Sequence, residues 1–160
     1  MRNIKIRKTK LEDINAVMRV HRSSIRDLCS KDYSEDQIQL WSAVNYDEGI
    51  WQDSVLREHH LVLEVDGEIM GFCHSCVLSS GIGEIRELYL SKQVAGKGYG
   101  RKIIEQSLDY LKNESCKKIL INSTITAKAF YEKIGFQCER EKTVKVRNTE
   151  LLTYSMLLKL

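Results

Sequence analysis

Hydrophobic positions change period several times along this chain, and each change marks an element. Ile4-Lys5-Ile6 alternates apolar with charged, the period of a strand. From Leu11 the spacing lengthens. Leu11, Ile14, Val17, Met18 and Ile25 recur at helical intervals, and Thr9-x-x-Glu12 has the form of a capping box opening that helix. A second capping box, Ser34-x-x-Gln37, opens a helix carrying Ile38, Trp41 and Val44, and residues 47–58 read as one or two further helical turns. Alternation then returns. His60-Leu61-Val62-Leu63-Glu64-Val65 is a strand, Asp66-Gly67 is a two-residue hairpin turn, and residues 68–78 are the returning strand. Ser79-Ser80-Gly81-Ile82-Gly83 turns the chain into residues 84–90, so the first four strands are expected to form an antiparallel meander.

The second half reads differently. A glycine-rich turn leads into a helix over about 99–111, with Ile103, Ile104, Leu108 and Leu111 inward. Ile119-Leu120-Ile121 is a continuous apolar run of the kind found in a strand buried on both faces, which suits a parallel neighbour. A short helix over 126–134 ends at Gly135, the expected left-handed cap, and two strands follow at about 136–146 and 150–158. The order is β-α-α-β-β-β-α-β-α-β-β. It predicts an α/β fold on a mixed, mostly antiparallel sheet with a strand–helix–strand crossover at its centre.

Composition narrows the function classes. A chain of 160 residues with 42% hydrophobic content suits one domain with a real core. The net charge is only +3 and the basic residues are scattered, which argues against a nucleic-acid partner. No run approaches the ~20 apolar residues of a membrane span, and the charged start MRNIKIRKTK lacks the apolar stretch of a signal peptide. A cytoplasmic location without a membrane partner is the expectation. Five cysteines without framework spacing then read as reduced thiols. Cys73-His74-x-Cys76 invites a metal reading, but strand alternation sets Cys73 on the face opposite His74 and Cys76, and no second ligand pair follows at zinc spacing. No metal is expected.

The chemistry concentrates at Gly96-Lys97-Gly98-Tyr99-Gly100. A strand, a glycine loop and a helix start together make an anion site, because the first helical turn leaves N–H groups unpaired and carries partial positive charge. Lys97 and Arg101 add mobile charge. The P-loop pattern is absent, and the dinucleotide fingerprint fails because its third glycine arrives one residue early. Taken alone, the turn is as compatible with a flexible loop as with a phosphate cradle.

Two segments together resolve that choice by resemblance. Leu88-Tyr89-Leu90-Ser91 followed by Ala95-Gly96-Lys97-Gly98-Tyr99-Gly100 resembles the pyrophosphate signature of the GNAT superfamily of acyl-CoA-dependent N-acetyltransferases, Gln/Arg-x-x-Gly-x-Gly/Ala. Ala129-Phe130-Tyr131-Glu132-Lys133-Ile134-Gly135-Phe136 is similar to that family's A-x-F-Y-x-x-x-G-F pattern, matching it from Phe130 to Phe136, with Ala129 directly before Phe130. The likeness runs over essentially the whole chain, and Ser24-Ile25…Tyr33-Ser34…Gln37-Ile38…Trp41 looks like a bacterial subgroup with poorly defined acceptors. One departure is Ala95, where the family usually has Gln or Arg. A modest affinity penalty is expected, since the backbone cradle does not depend on that side chain.

The resemblance implies a GNAT-type sheet with splayed central strands and helices on both faces, an acceptor side built from residues of about 2–45 and an acetyl-CoA-binding core of about 84–135. Carried over residue by residue, the pantetheine arm pairs with the backbone of Leu88, Tyr89 and Leu90, and the pyrophosphate sits on Ala95, Gly96, Lys97, Gly98, Tyr99, Gly100 and Arg101. Asn122 matches a position that often touches the pantetheine, and is equally readable as a helix N-cap. Ala129 belongs to the second signature. Tyr131 matches the tyrosine that commonly protonates the departing thiolate, against a plain core role like that of Phe130. Glu84 matches a glutamate base found in some members. Arg86 and Glu87 are rivals there, alternation puts Glu84 and Glu87 on opposite faces, and either glutamate could simply be paired with arginine. His21 and His74 read as packing residues. The implied activity is acetyl transfer from acetyl-CoA to a primary amine, small molecule or peptide, in an enzyme compatible with a homodimer. The competing reading is a non-catalytic acyl-CoA-binding regulatory module, which would not need Tyr131. The acceptor itself is not selected by any residue.

Overall fold

The computed structural model describes residues 1–43 and 48–160. Its elements are β1 (Ile4–Lys8), α1 (Ile14–Leu28), α2 (Glu35–Ser42), α3 (Glu48–Arg57), β2 (His59–Val65), β3 (Glu68–Ser79), β4 (Ile82–Leu90), α4 (Tyr99–Asn113), β5 (Lys118–Thr124), α5 (Lys128–Ile134), β6 (Gln137–Val146) and β7 (Thr149–Lys159). The strands form one sheet in the order β1-β2-β3-β4-β5-β7-β6, antiparallel throughout except for the parallel pair β4–β5. The expected meander and central crossover are both present. Where one or two helical turns were expected, Glu48–Arg57 form a full helix, α3. Val44 and Asp47, expected in or beside helices, lie outside the described residues.

Two layers cover the sheet. On one face α4 and α5 bury Ile103, Ile104, Leu111 and Tyr131 against Leu63, Cys73, Ile85, Ile119 and Met156. On the other, α1 and α3 bury Ile14, Val17, Val20 and Trp51 against Val62 and Phe72, and Ile25, Tyr33, Ile38 and Trp41 gather around Leu151. A fully buried side chain of this size is worth ~1.5–3 kcal/mol, so these clusters place the helices. Among the described residues no helix is long and apolar enough to cross a membrane.

The helix starts separate the two capping boxes. Ser34 and Gln37 exchange bonds as expected: Gln37 N–H donates to Ser34 Oγ at 3.2 Å and Ser34 N–H to Gln37 Oε1 at 2.8 Å. Thr9-x-x-Glu12 is a correction. Thr9 is buried and bonded to His60 Nδ1 at 2.7 Å, while Asp13 accepts the Lys10 N–H at 2.8 Å and a 3-10 turn (Leu11–Asp13) precedes α1. Asp13 wins because Arg7 Nη1 also holds its carboxylate, at 2.7 Å, leaving Leu11 exposed instead of inward.

Candidate active site

The site originates in a mismatch of strand lengths. β4 and β5 pair only from Ile82↔Lys118 to Ile85↔Ile121. Beyond that point β4 stays with β3 as far as Leu90↔Gly71, and β5 stays with β7 as far as Thr124↔Thr153. The two central strands therefore part, and among the described residues β4 over residues 86–90 pairs with no strand on the β5 side. A β-bulge sits at the fork. His74 pairs with Glu87 but Ser75 with Ile85, so Arg86 is the extra residue. The bulge shifts the alternation by one. Ile85, Leu88 and Leu90 all pack toward α4 and α5, whereas Glu87 and Tyr89 face the α1–α3 side.

That shift corrects the expectation that Glu84 and Glu87 face opposite ways. Both belong to one polar chain on the same side of the sheet. Glu84 Oε1 lies 3.3 Å from Arg86 Nε, which lies 3.7 Å from Glu58 Oε2. Glu58 Oε1 lies 3.4 Å from His74 Nε2, and His74 Nδ1 lies 3.4 Å from Glu87 Oε1. Only one of the two glutamates reaches the fork. Glu87 lines both cavities there, while Glu84 lines neither and is held by Arg86.

The larger cavity, about 390 Å³, is walled by Tyr33, Trp41, Trp51, His74 and Leu151 on the α1–α3 side. The smaller, about 90 Å³, is lined by Leu88, Ile121, Ala127 and Tyr131. Arg86, Glu87, Tyr89, Asn122 and Thr124 line both, so the spaces meet where the strands part. Tyr33 fastens the wall of the larger one: its hydroxyl donates to Leu152 O at 2.6 Å and accepts from Ile125 N–H at 2.9 Å. Sequence reasoning did not assign His74 or Glu58 to the site. A histidine inside an otherwise apolar strand run was the available signal for the first. Glu58, at the end of α3, carried none.

Tyr131 enters the smaller cavity from α5, only 4% exposed, with its ring edge-on to Phe130 and Phe136 at 5.1 and 5.6 Å. Its hydroxyl has no hydrogen bond to a described residue. Burial raises its pKa above the usual phenol value, with the Cys73 thiol a lesser cause, so the phenol stays protonated near neutrality. Asn122 stands inside β5, where its Oδ1 accepts from Thr153 Oγ1 at 2.9 Å; it does not cap α5, whose N-cap residue is Ala127. Ala129 lies on the exposed side of α5, outside both cavities.

At the end of β4 the chain turns through Gly96 (φ +73°) and Gly98 (φ +87°), and Gly98 is the N-cap of α4. Both glycines adopt the left-handed region that costs other residues ~1–2 kcal/mol, and an added Cβ on either would meet nothing within 4 Å. The space above the turn is open. No side chain of a described residue caps the helix, so the N–H groups of Tyr99, Gly100 and Arg101 point outward unpaired by the helix. Gly100 serves packing instead: a Cβ there would lie 3.1 Å from Leu90 Cδ1 and 3.4 Å from the Phe130 ring. Val94 is buried and roots the turn, and Ala95 N–H donates to Ser91 O at 3.1 Å. Lys97 Nζ donates to Gln93 O at 2.8 Å and Arg101 pairs with Glu105 at 2.9 Å, both at the surface where such bonds exchange readily.

Known proteins share this fold. The model of the Acetyltransferase (GNAT) family matches residues 23–136. An uncharacterised N-acetyltransferase of Escherichia coli, YafP, is 26% identical over 158 residues, covering 98% of this chain and 96% of its own. Among solved structures, a GCN5-related N-acetyltransferase from Rhodopseudomonas palustris superposes with a TM-score of 0.88 at 22% identity, covering 98% of this chain and 95% of that one. PaiA N-acetyltransferase from Thermoplasma acidophilum, solved in complex with coenzyme A, gives 0.82 at 22% identity and covers 99% of each chain. With the family model spanning most of its length and the splayed sheet at its centre, this chain belongs to the GNAT family of acetyltransferases.

Proposed function

We propose that this protein transfers the acetyl group of acetyl-CoA to a primary amine held in the larger cavity. The observation that carries the reading is the fork itself: β4 parts from β5 after Ile85, and its edge runs straight into a helix start whose glycines leave the approach open. Those residues fit acetyl-CoA, whose part is to supply a thioester. The N–H groups of Tyr99, Gly100 and Arg101 would hold the pyrophosphate with Lys97 and Arg101 free to swing onto it, and the β4 edge at Leu88, Tyr89 and Leu90 would pair with the amides of the pantetheine arm. Asn122 borders the same gap.

The remaining residues divide the proton work. Glu87, where the cavities meet, takes a proton from the acceptor ammonium, because only the free amine can attack. Tyr131, which lines the smaller cavity and which burial keeps protonated at neutral pH, gives a proton to the departing thiolate. Glu87 replaces Glu84 in this reading because Glu84 lines neither cavity. The aromatic and aliphatic wall of Tyr33, Trp41, Trp51 and Leu151 suits an amine with an apolar body. A purely regulatory acyl-CoA-binding module would leave an acceptor cavity beside Tyr131 without a use.

The test is a panel of amines followed by release of free thiol, together with melting in the presence of acetyl-CoA. Acetyl-CoA should raise the melting temperature, since a ligand of the folded state stabilises it, and at least one amine should release thiol. Unchanged melting at millimolar acetyl-CoA overturns the donor. A clear shift without turnover on any amine leaves the binding module as the answer.

A further inference from the structure

We propose that His74 and Glu58 form a proton exit behind Glu87, carrying the proton taken from the acceptor amine out to solvent along the face of β3. The inference rests on the acetyltransferase reading above and extends it beyond the two groups that touch the substrates. Acetylating an ammonium releases one proton per turnover, and Glu87 must lose it before the next cycle. Glu87 sits at the base of a cavity that an acceptor would fill, with its side chain 24% exposed.

The geometry supplies one route. His74 is buried, 5% exposed, and its two ring nitrogens face two carboxylates: Nδ1 is 3.4 Å from Glu87 Oε1 and Nε2 is 3.4 Å from Glu58 Oε1. Nε2 has no hydrogen bond to a described residue, although it is fully enclosed, so a small rotation of Glu58 would satisfy it. A buried imidazole nitrogen left open toward a carboxylate is costly as plain packing and suited to a nitrogen that exchanges its proton. Glu58, at the end of α3, has a side chain 26% exposed and also meets Arg86 Nε at 3.7 Å. The other groups around the path are the Cys76 thiol, which accepts from Arg86 Nε at 3.0 Å, His59 and His60 of β2, the latter stacked on His74 with centroids 5.1 Å apart, and His21 of α1, whose Nε2 is 4.0 Å from Glu87 Oε2. Burial holds all three of those histidines below the usual imidazole range, leaving them neutral near pH 7. They thus add no competing charge.

The acceptor R-NH3⁺ gives one proton to Glu87, and the freed nitrogen pair forms the C–N bond to the acetyl carbon. The C–S bond breaks, its electron pair leaves on sulfur, and Tyr131 protonates that sulfur. The second amine proton, lost as the amide forms, reprotonates the tyrosine through solvent. Glu87 passes its proton to His74 Nδ1, and the Nε2 proton leaves through Glu58 to water. Exchange with water restores the ring tautomer between cycles. No oxidant or metal is involved.

His74 and Glu58 act through Glu87, so they are positioning residues, and the test reads proton transfer. On an acceptor found by the amine panel, His74→Gln and Glu58→Gln should lower kcat about tenfold near pH 6.5, less than the ~10²–10⁴ of direct general acid–base catalysis. The deficit should shrink as pH rises and bulk base takes over, with acceptor KM within about twofold of the parent. Added imidazole should restore part of the rate of His74→Gly. Parental kcat at all pH values in both glutamine variants, with Glu87→Gln impaired, overturns the exit while leaving the acetyltransferase reading intact. A loss equal at every pH and not rescued by imidazole also overturns it, as a packing effect. Side-chain nitrogen NMR of His74 needs no substrate: Glu58→Gln and Glu87→Gln should each shift one ring nitrogen, and indifference to both ends the proposal.

Discussion

Replacing Tyr131 by Phe separates chemistry from packing with little ambiguity. The ring keeps its edge-on contacts with Phe130 and Phe136, and the hydroxyl gives up no hydrogen bond to a described residue. The stability change should therefore stay within about 0.5 kcal/mol, or roughly 2 °C in melting temperature for a chain of this size. Binding of acetyl-CoA should survive, because the glycine turn at the start of α4 is untouched. Turnover should not. A general acid contributes ~10²–10⁴-fold, and a thiolate leaves readily enough to favour the lower end. A hundredfold loss in kcat corresponds to about 2.7 kcal/mol of transition-state stabilisation. Because burial raises the phenol above its ordinary pKa, it donates over the whole range up to about pH 10, so the variant's pH–rate curve should fall in parallel with the parent's. Single-turnover mixing, which isolates chemistry from product release, is the assay. A rate within about twofold of the parent would refute the acid role and return Tyr131 to the core.

Three further outcomes follow from the same geometry. Gly98→Asp places a charged side chain at a φ of +87° above an open helix start, so it should abolish the melting shift produced by acetyl-CoA, while Gly100→Val should instead lower stability by ~1–3 kcal/mol through collision with Leu90 and Phe130; equal behaviour of the two would mean that the turn does not hold phosphate. Glu87→Gln should cut kcat about a hundredfold near neutral pH while Glu84→Gln, whose carboxylate sits on Arg86, stays within about threefold, and the reverse order would restore Glu84 as the base. His60, pushed down to about 3 by burial, is neutral in the fold but protonates near 6.5 when unfolded; its contribution to stability is present above pH 6.5 and is lost as pH falls toward 3. Denaturant titrations should show a slope of up to about 1.4 kcal/mol per pH unit from this residue, reduced in His60→Asn, and an unchanged slope would show that other groups govern acid sensitivity.

Local pattern determined most of the elements because their causes are local. The Asp66-Gly67 turn and the alternation on either side of it define the β2–β3 hairpin, with Asp66 and Gly67 both at positive φ. The reciprocal Ser34–Gln37 bonds depend on four consecutive residues. Gly96 and Gly98 declare their left-handed backbone by lacking a side chain, and Gly135 ends α5 for the same reason, at φ +119°. The resemblance carried by those glycines and by the segment around Tyr131 was sufficient to expect the family.

What tertiary structure decided was the phase and company of particular side chains. Thr9 looked like a cap until Arg7 and His60 supplied Asp13 and Thr9 with other partners from β1 and β2. Glu84 and Glu87 looked opposed because alternation has period two, and one extra residue, Arg86, resets that period where β4 leaves β5. Nothing within β4 announces the bulge; it follows from the pairing of His74 with Glu87 and of Ser75 with Ile85 on a different strand. The same register brings His74 of β3 between Glu87 of β4 and Glu58 of the α3 end, residues up to 29 positions apart that no spacing rule connects. Sequence periodicity reports which face of its own element a residue occupies. Which carboxylate reaches the fork depends on how long two neighbouring strands stay paired, and only the assembled sheet sets that length.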